Sequence, residues 1–184
     1  FIILHTSESA TYQTRLAHIE FYTNSATQFA AWRSNMSTGD WTRYFNGGTY
    51  WSMSFWSPQV GAVTTPYQWW FVGAASNISY MYDKAMEAEA WHYAGVAKVI
   101  RAYGFMLMTD LYGEMPYTDA VGENATPKYD NATAIYADLM TQLTTAISLI
   151  KNATSPVDVQ NDVIFDGDMD SWIKFANTIK MRMI

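Results

Sequence analysis

The stretch from Trp91 to Met108 constrains the fold more than any other part of the chain. Its clearly polar residues are His92, Lys98 and Arg101, so a helix built on it is apolar almost all round. Such a helix has to be covered on most sides, which places it at the centre of a helical domain. The pattern predicts that it runs from about Ala85 to Leu111, with Glu87 and Glu89 in the N-terminal turns that the helix dipole favours. Around it the same period recurs. Residues 8–33 carry Leu16, Ile19, Phe21, Ala26, Phe29 and Ala30 loosely on one face. Pro66 suits the first turn of a helix reaching about Tyr82, with Trp69, Val72, Ile78 and Met81 near one side. Ile135, Leu139, Leu143, Ala146, Ile147 and Ile150 form a stripe over 131–151, and Asp130 stands where a cap belongs. A last helix is expected from Asp170, with Trp172, Phe175, Ala176, Ile179 and Met183 inward. The expected fold is all-α, with antiparallel helix pairs (66–82 with 85–111, 131–151 with 170–184) stacked in a tetratricopeptide-like array.

Composition narrows what such an array can do. Of 184 residues, 49% are apolar and 15% charged, which excludes a disordered chain. A net charge of −6 disfavours nucleic acid, whose phosphates it would repel, but leaves a neutral ligand unaffected. Aromatic residues reach 16%, with 8 Trp and 13 Tyr, more than a core of this size needs. Large rings with a polar tip suit surfaces that are apolar on one side and wet on the other. There is no cysteine, hence no disulfide and no cysteine-based metal site. No run of about 18 apolar residues is present. Asn35, Asn77, Asn124, Asn131 and Asn152 fit the glycan-acceptor pattern, and are better explained as helix starts and turns. The chain opens FIILHTSES and closes KMRMI inside a helical pattern, so it is expected to be a piece of a longer protein.

Three segments, in order, resemble the SusD/RagB family of nutrient-binding lipoproteins. They are AGVAKVIRAYGFMLMTDLYGEMPYTDA (94–120), PKYDNATAIYADLMTQLTTAISLI (127–150) and DVIFDGDMDSWIKFANTIKMRMI (162–184). The strings are made of scaffold residues. Gly113 suits a left-handed helix cap, Pro116 fixes the exit of the chain, and Asp170 caps the last helix. The resemblance implies residues 1–184 as the N-terminal helical-repeat domain of a larger protein, without the family's lipidated N-terminal cysteine and without its C-terminal part. It implies a protein anchored by lipid on the outer membrane of Bacteroidetes. As partners it implies a SusC-like TonB-dependent transporter and an oligosaccharide or peptide ligand, with no cofactor and no enzymatic activity.

For the ligand surface, the residues themselves single out 34–64, a Gly-, Ser-, Thr- and Pro-rich stretch too broken for regular structure. Within it Trp41, Tyr44, Tyr50, Trp51 and Trp56 can stack on the apolar faces of sugar rings, while Asp40 and Arg43 can bond hydroxyls. The same rings could instead plug the seam to another subdomain. Trp69, Trp70 and Trp91 lie on helices and are expected in the core. Asp166, Asp168 and Asp170 alternate like the start of a calcium loop, but Ser171 and Asn177 stand where that loop needs Gly and Glu, so capping is the better account. His5, His18 and His92 have no metal-ligand spacing, and no hydrolase or phosphate-loop motif occurs. Glu114 and Asp119 flank Pro116 as a carboxylate pair of the kind a glycosidase uses, and are better explained as turn and cap residues. A helical-repeat scaffold binding only proteins is the alternative function.

Overall fold

The computed structural model describes residues 15–16, 18–25, 60–122, 124, 126–151 and 158–184. Five helical segments make up the described part: α1 at 15–25 (residue 17 apart), α2 at Val60–Glu87, α3 at Trp91–Tyr112, α4 at Ala132–Lys151 and α5 at Met169–Arg182. Among the described residues there is no β-strand, and one isolated antiparallel bridge joins Met115 to Asp130. Helix α3 is the centre that its composition demands. It buries thirteen residues between Tyr93 and Thr109 and packs against α2, α4 and α5. Helix α4 contributes the predicted stripe, with Ile135, Leu139, Leu143, Ala146 and Ile150 buried. Helix α5 contributes Trp172, Ala176 and Ile179, while Phe175 packs half-buried at its edge. The α2–α3 and α4–α5 pairs both form, and α3–α4 contact joins them into a tetratricopeptide-like array.

Two helical glycines set how closely the layers approach. A Cβ on Gly95 would lie 2.5 Å from Ile150 Cγ1 and 3.1 Å from the Ala146 carbonyl oxygen, so the bare backbone is what lets α4 lie on α3. A Cβ on Gly104 would lie 2.0 Å from the Trp70 ring, which sits flat against that gap and meets Phe105 edge-on.

Three boundaries differ from expectation. Pro66 lies seven residues into α2, buried, instead of opening it. A proline inside a helix removes one N–H and crowds the carbonyl four residues back. Three residues later α2 widens into a π-helical segment, Trp69–Ala75, before resuming as Ser76–Glu87. The break between α2 and α3 falls at 88–90, not at 83–84. Ala85 continues the buried face of Ile78 and Met81, and Glu89 turns the chain with a φ of 53°. Glu87 therefore ends α2, bonded to Lys84 at 2.7 Å, and lies outside the first turn of α3.

The caps also move by a residue or two. Asp168, not Asp170, caps α5, its carboxylate accepting the Asp170 amide at 3.0 Å and the Ser171 hydroxyl at 2.6 Å. Asn131 starts α4 by accepting the Thr133 amide at 2.9 Å. Asp130 is freed for other work: its carboxylate accepts the Tyr117 and Thr118 amides at 3.0 and 2.7 Å, which closes the turn after α3. Those amides, the Thr118 one foremost, hold Asp130 below the usual carboxylate range. Gly113 has φ 72° and ψ −125°, a glycine conformation outside the left-handed helical region that was expected.

Candidate functional site

Asp40, Trp41, Arg43, Tyr44, Tyr50, Trp51 and Trp56 all lie outside the described residues. Trp70 is fully buried, and Trp69 packs half-buried against the core. Trp91 is half-buried. Glu114 and Asp119 are exposed, with Glu114 accepting from the Asn131 amide group at 3.2 Å. Among the described residues no cluster of three or more His, Asp or Glu could hold a metal ion.

A cleft of about 410 Å³ opens between the C-terminal half of α2, the middle of α3, α4 and the turn at 117–118. Sequence analysis missed it, because its residues come from four elements. Lys98 and Arg101 stand one turn apart on α3, at two of the few polar positions of that helix. Tyr82 comes from α2, Asp138 and Gln142 from α4, and Tyr117 from the turn. The groups form one chain of hydrogen bonds. Lys98 donates to Gln142, whose amide group donates to Asp138 at 3.3 Å. The Tyr117 hydroxyl donates to the same carboxylate and accepts from Arg101 at 2.9 Å. The Lys98 ammonium lies over the Tyr82 ring at 4.5 Å, and the Arg101 guanidinium over Tyr117 at 4.5 Å.

The electrostatics follow from partial burial. Loss of water, and then the neighbouring Arg101, lower the Lys98 ammonium. Burial foremost, with the Asp138 carboxylate beside it, pushes the Tyr117 hydroxyl up to about 12, so it stays protonated and able to donate. Rings beside hydrogen-bonding donors and acceptors form a surface that can hold a polar ligand with an apolar face. The only advance signal was Lys98 and Arg101 on an otherwise apolar helix.

A second polar focus is the turn before α5. The buried Asp162 carboxylate accepts the Ile164, Phe165 and Gly167 amides at 2.9, 3.0 and 2.9 Å, and the Trp172 indole at 2.7 Å. Burial acts to raise this acid, but the four donors outweigh it and hold it low. The Asp166 and Asp168 alternation that looked like a calcium loop is thus a turn built around Asp162. Gly167, at φ 79°, has no room for a Cβ, which would lie 2.6 Å from the Val159 carbonyl oxygen.

Stacked helix pairs of this kind make the chain a tetratricopeptide-like helical-repeat protein. The sequence profile of the SusD-like family, described as starch-binding and associating with the outer membrane, matches residues 6–184, and the chain belongs to that family. It is similar in structure to a chitin-binding protein, with a TM-score of 0.78 and 21% identity over 94% of this chain and 38% of that one. It is likewise similar to a SusD/RagB family protein from Bacteroides thetaiotaomicron, with a TM-score of 0.75 and 23% identity over 95% and 38%. A SusD homologue from Bacteroides fragilis is 28% identical, with a TM-score of 0.53 over 58% and 23%. At the lower identities the likeness shows the fold alone. The chain spans between 23% and 38% of the length of these three solved structures. No curated protein matches it.

Proposed function

We propose that this chain is the helical part of a cell-surface lipoprotein that binds a glycan, or a peptide, and delivers it to a SusC-like TonB-dependent transporter in the outer membrane. The observation that carries this is membership of a family described as starch-binding and outer-membrane-associated, over residues 6–184. The chitin-binding protein of similar fold supports a carbohydrate as cargo. The ligand surface is the run containing Asp40, Trp41, Arg43, Tyr44, Tyr50, Trp51 and Trp56, where stacking rings and hydroxyl-bonding side chains stand together. Residues 1–184 act as one helical-repeat domain. Attachment is by an N-terminal lipid of the family's type; no helix among the described residues is long and apolar enough to cross a membrane. The protein captures cargo without transforming it.

A glycan and peptide array probed with the full-length protein tests the binding. Retention of an oligosaccharide or peptide unchanged, weakened by Trp41→Ala or Trp51→Ala, is the expected result. Capture of protein partners with no small ligand would replace this function by that of an interaction scaffold, and cleavage products would replace it by catalysis. Co-purification with a large β-barrel tests the partner separately.

A further inference from the structure

A second cavity, about 300 Å³, lies where α1, α3, α5 and the turn at Ile164 meet. Its walls are mostly rings and aliphatic groups: Tyr103 from α3, Trp172 and Phe175 from α5, and Ile164. Helix α1 adds Glu20, Thr23 and Asn24, which lie on one face because they are three and four residues apart. Both are more than nine-tenths buried, at 1% and 4% exposure. Glu20 Oε2 accepts the Val163 amide at 2.8 Å. Among the described residues Thr23 Oγ1 meets no hydrogen-bond partner and Glu20 Oε1 accepts no donor, while the Glu20 carboxyl shares a side-chain hydrogen bond with Asp162. A buried oxygen without a donor is destabilising, and a bound donor would relieve it.

The charge around this corner is as unusual as its hydrogen bonding. Asp162, the neighbour of Val163, is buried too and faces Glu20. Among the described residues no Lys, Arg or His forms an ion pair with either acid. Arg15, a turn earlier on α1, bonds Asn77 at 2.8 Å and lies over the Tyr80 ring, both on α2. The four donors on Asp162 make it the ionised member of the pair. Burial, and then the neighbouring Asp162, push Glu20 up to about 8 against the pull of the Val163 amide, so Glu20 keeps its proton at neutral pH.

We propose that this cavity binds a primary ammonium group on a small ligand, with Glu20 as its counter-ion, Thr23 Oγ1 as a second acceptor and the surrounding rings stabilising the cation. An ammonium has donors and no acceptor, which matches the Thr23 hydroxyl oxygen and the Glu20 carboxylate that forms when its proton leaves. Tyr103, Trp172 and Phe175 supply cation–π attraction in a partly dry site. Binding here does not require the cargo proposed for the aromatic run at 40–56. No bond to the ligand forms on binding, and the one bond broken is the Glu20 carboxyl O–H. The protonated Glu20 carboxyl gives its proton to the buffer and becomes the carboxylate that pairs with the ligand's ammonium. A group titrating at about 8 is mostly protonated at pH 7, so a proton is released when the ligand binds. Below that pKa the affinity rises about tenfold per pH unit, and it levels off above it. Among the described residues, the titratable groups that face Glu20 or line the cavity with it are Asp162 from the turn and Tyr103 from α3; α5 lines the cavity with Trp172 and Phe175.

Calorimetry on the intact protein tests the site, using Nα-acetyl-lysinamide, glucosamine and glucose as probes. The lysine derivative stays charged across the range from about pH 6 to 8, so it serves for the pH series. The expected result is binding of one or both amines and not of glucose, with proton release read from two buffers of different ionisation enthalpy. Comparing the two amines tells an amino sugar from an alkyl amine. Glu20→Gln should weaken binding at least tenfold and abolish proton release, and Thr23→Val should weaken it severalfold. Should Glu20→Gln fail to fold, the wild-type proton release and Thr23→Val decide the matter. Glucose binding as well as glucosamine, amine binding without proton release, or no amine binding at millimolar concentration would each overturn the proposal.

Discussion

Replacing Gly104 by alanine sets local helix propensity directly against tertiary packing. Position 104 lies in the interior of α3, where alanine is favoured over glycine by about 1 kcal/mol. Propensity alone therefore predicts a more stable protein. The structure predicts the opposite. The added Cβ would stand 2.0 Å from both Cη2 and Cζ3 of Trp70 and 2.8 Å from Cε3, where carbon atoms prefer roughly 3.5–4 Å. The ring would have to retreat by about 1.5 Å. It has nowhere to go: Trp70 is fully buried, lies in the π-helical part of α2, and packs edge-on against Phe105 at 5.1 Å. Overpacking of this kind costs about 1–3 kcal/mol, and a rigid ring held by a helix belongs at the upper end. Set against the propensity gain, the net loss is about 2 kcal/mol, or roughly 4–8 °C in Tm for a protein of this size. Urea unfolding followed by circular dichroism reads the loss. Trp70→Phe in the same chain should recover part of it, since the smaller ring vacates the contested space. If Gly104→Ala alone proves as stable as the wild type or more so, Trp70 does not rest on Gly104 and the packing described for α2 on α3 is wrong.

Three further outcomes are expected. The folded-state pKa of Glu20, about 8, lies above its ordinary value of 4.5, so its contribution to stability is complete below about pH 4.5 and is lost as pH rises through 8; unfolding free energies at several pH values should show a decline on the order of 2 kcal/mol after allowing for relaxation around the pair, and Glu20→Gln should remove it. Asp168→Ala should lower the unfolding temperature by uncapping α5, whereas Asp170→Ala should lower it clearly less, and thermal unfolding of the two variants distinguishes them. Tyr117→Phe removes the hydroxyl joining Arg101 to Asp138 and should destabilise by about 1–3 kcal/mol in chemical unfolding, while a cost near zero would mean that the cleft network is not held together through that hydroxyl.

How much of this was legible beforehand depends on the range over which each feature is determined. The all-apolar character of Trp91–Met108 and the stripe of α4 are periodic patterns within one segment, so the helices, their buried faces and the central place of α3 could be read directly. The scaffold strings at 94–120, 127–150 and 162–184 sufficed for the family. The aromatic run at 40–56 was legible as chemistry, while its arrangement lies outside the described residues. The break at 88–90 carries no glycine or proline, and no local signal separates it from a helix that continues. Asp130 stood as the one cap expected for α4 and Asp168 as one of three alternating acids, and which residue caps was decided by where neighbouring amides point after packing.

The cleft and the Glu20 cavity belong wholly to tertiary structure. Lys98 meets Gln142 across 44 residues, and Glu20 meets Val163 across 143. Taken along the chain, Glu20 is an ordinary acid on a helix; its raised pKa exists because folding removes its water and sets Asp162 beside it. The sequence by itself determined which faces must be hidden, because hydrophobic burial depends on pattern and not on partner. Only the tertiary structure decided which polar groups are hidden along with them, because a buried charge takes its properties from the neighbours that distant segments bring to it.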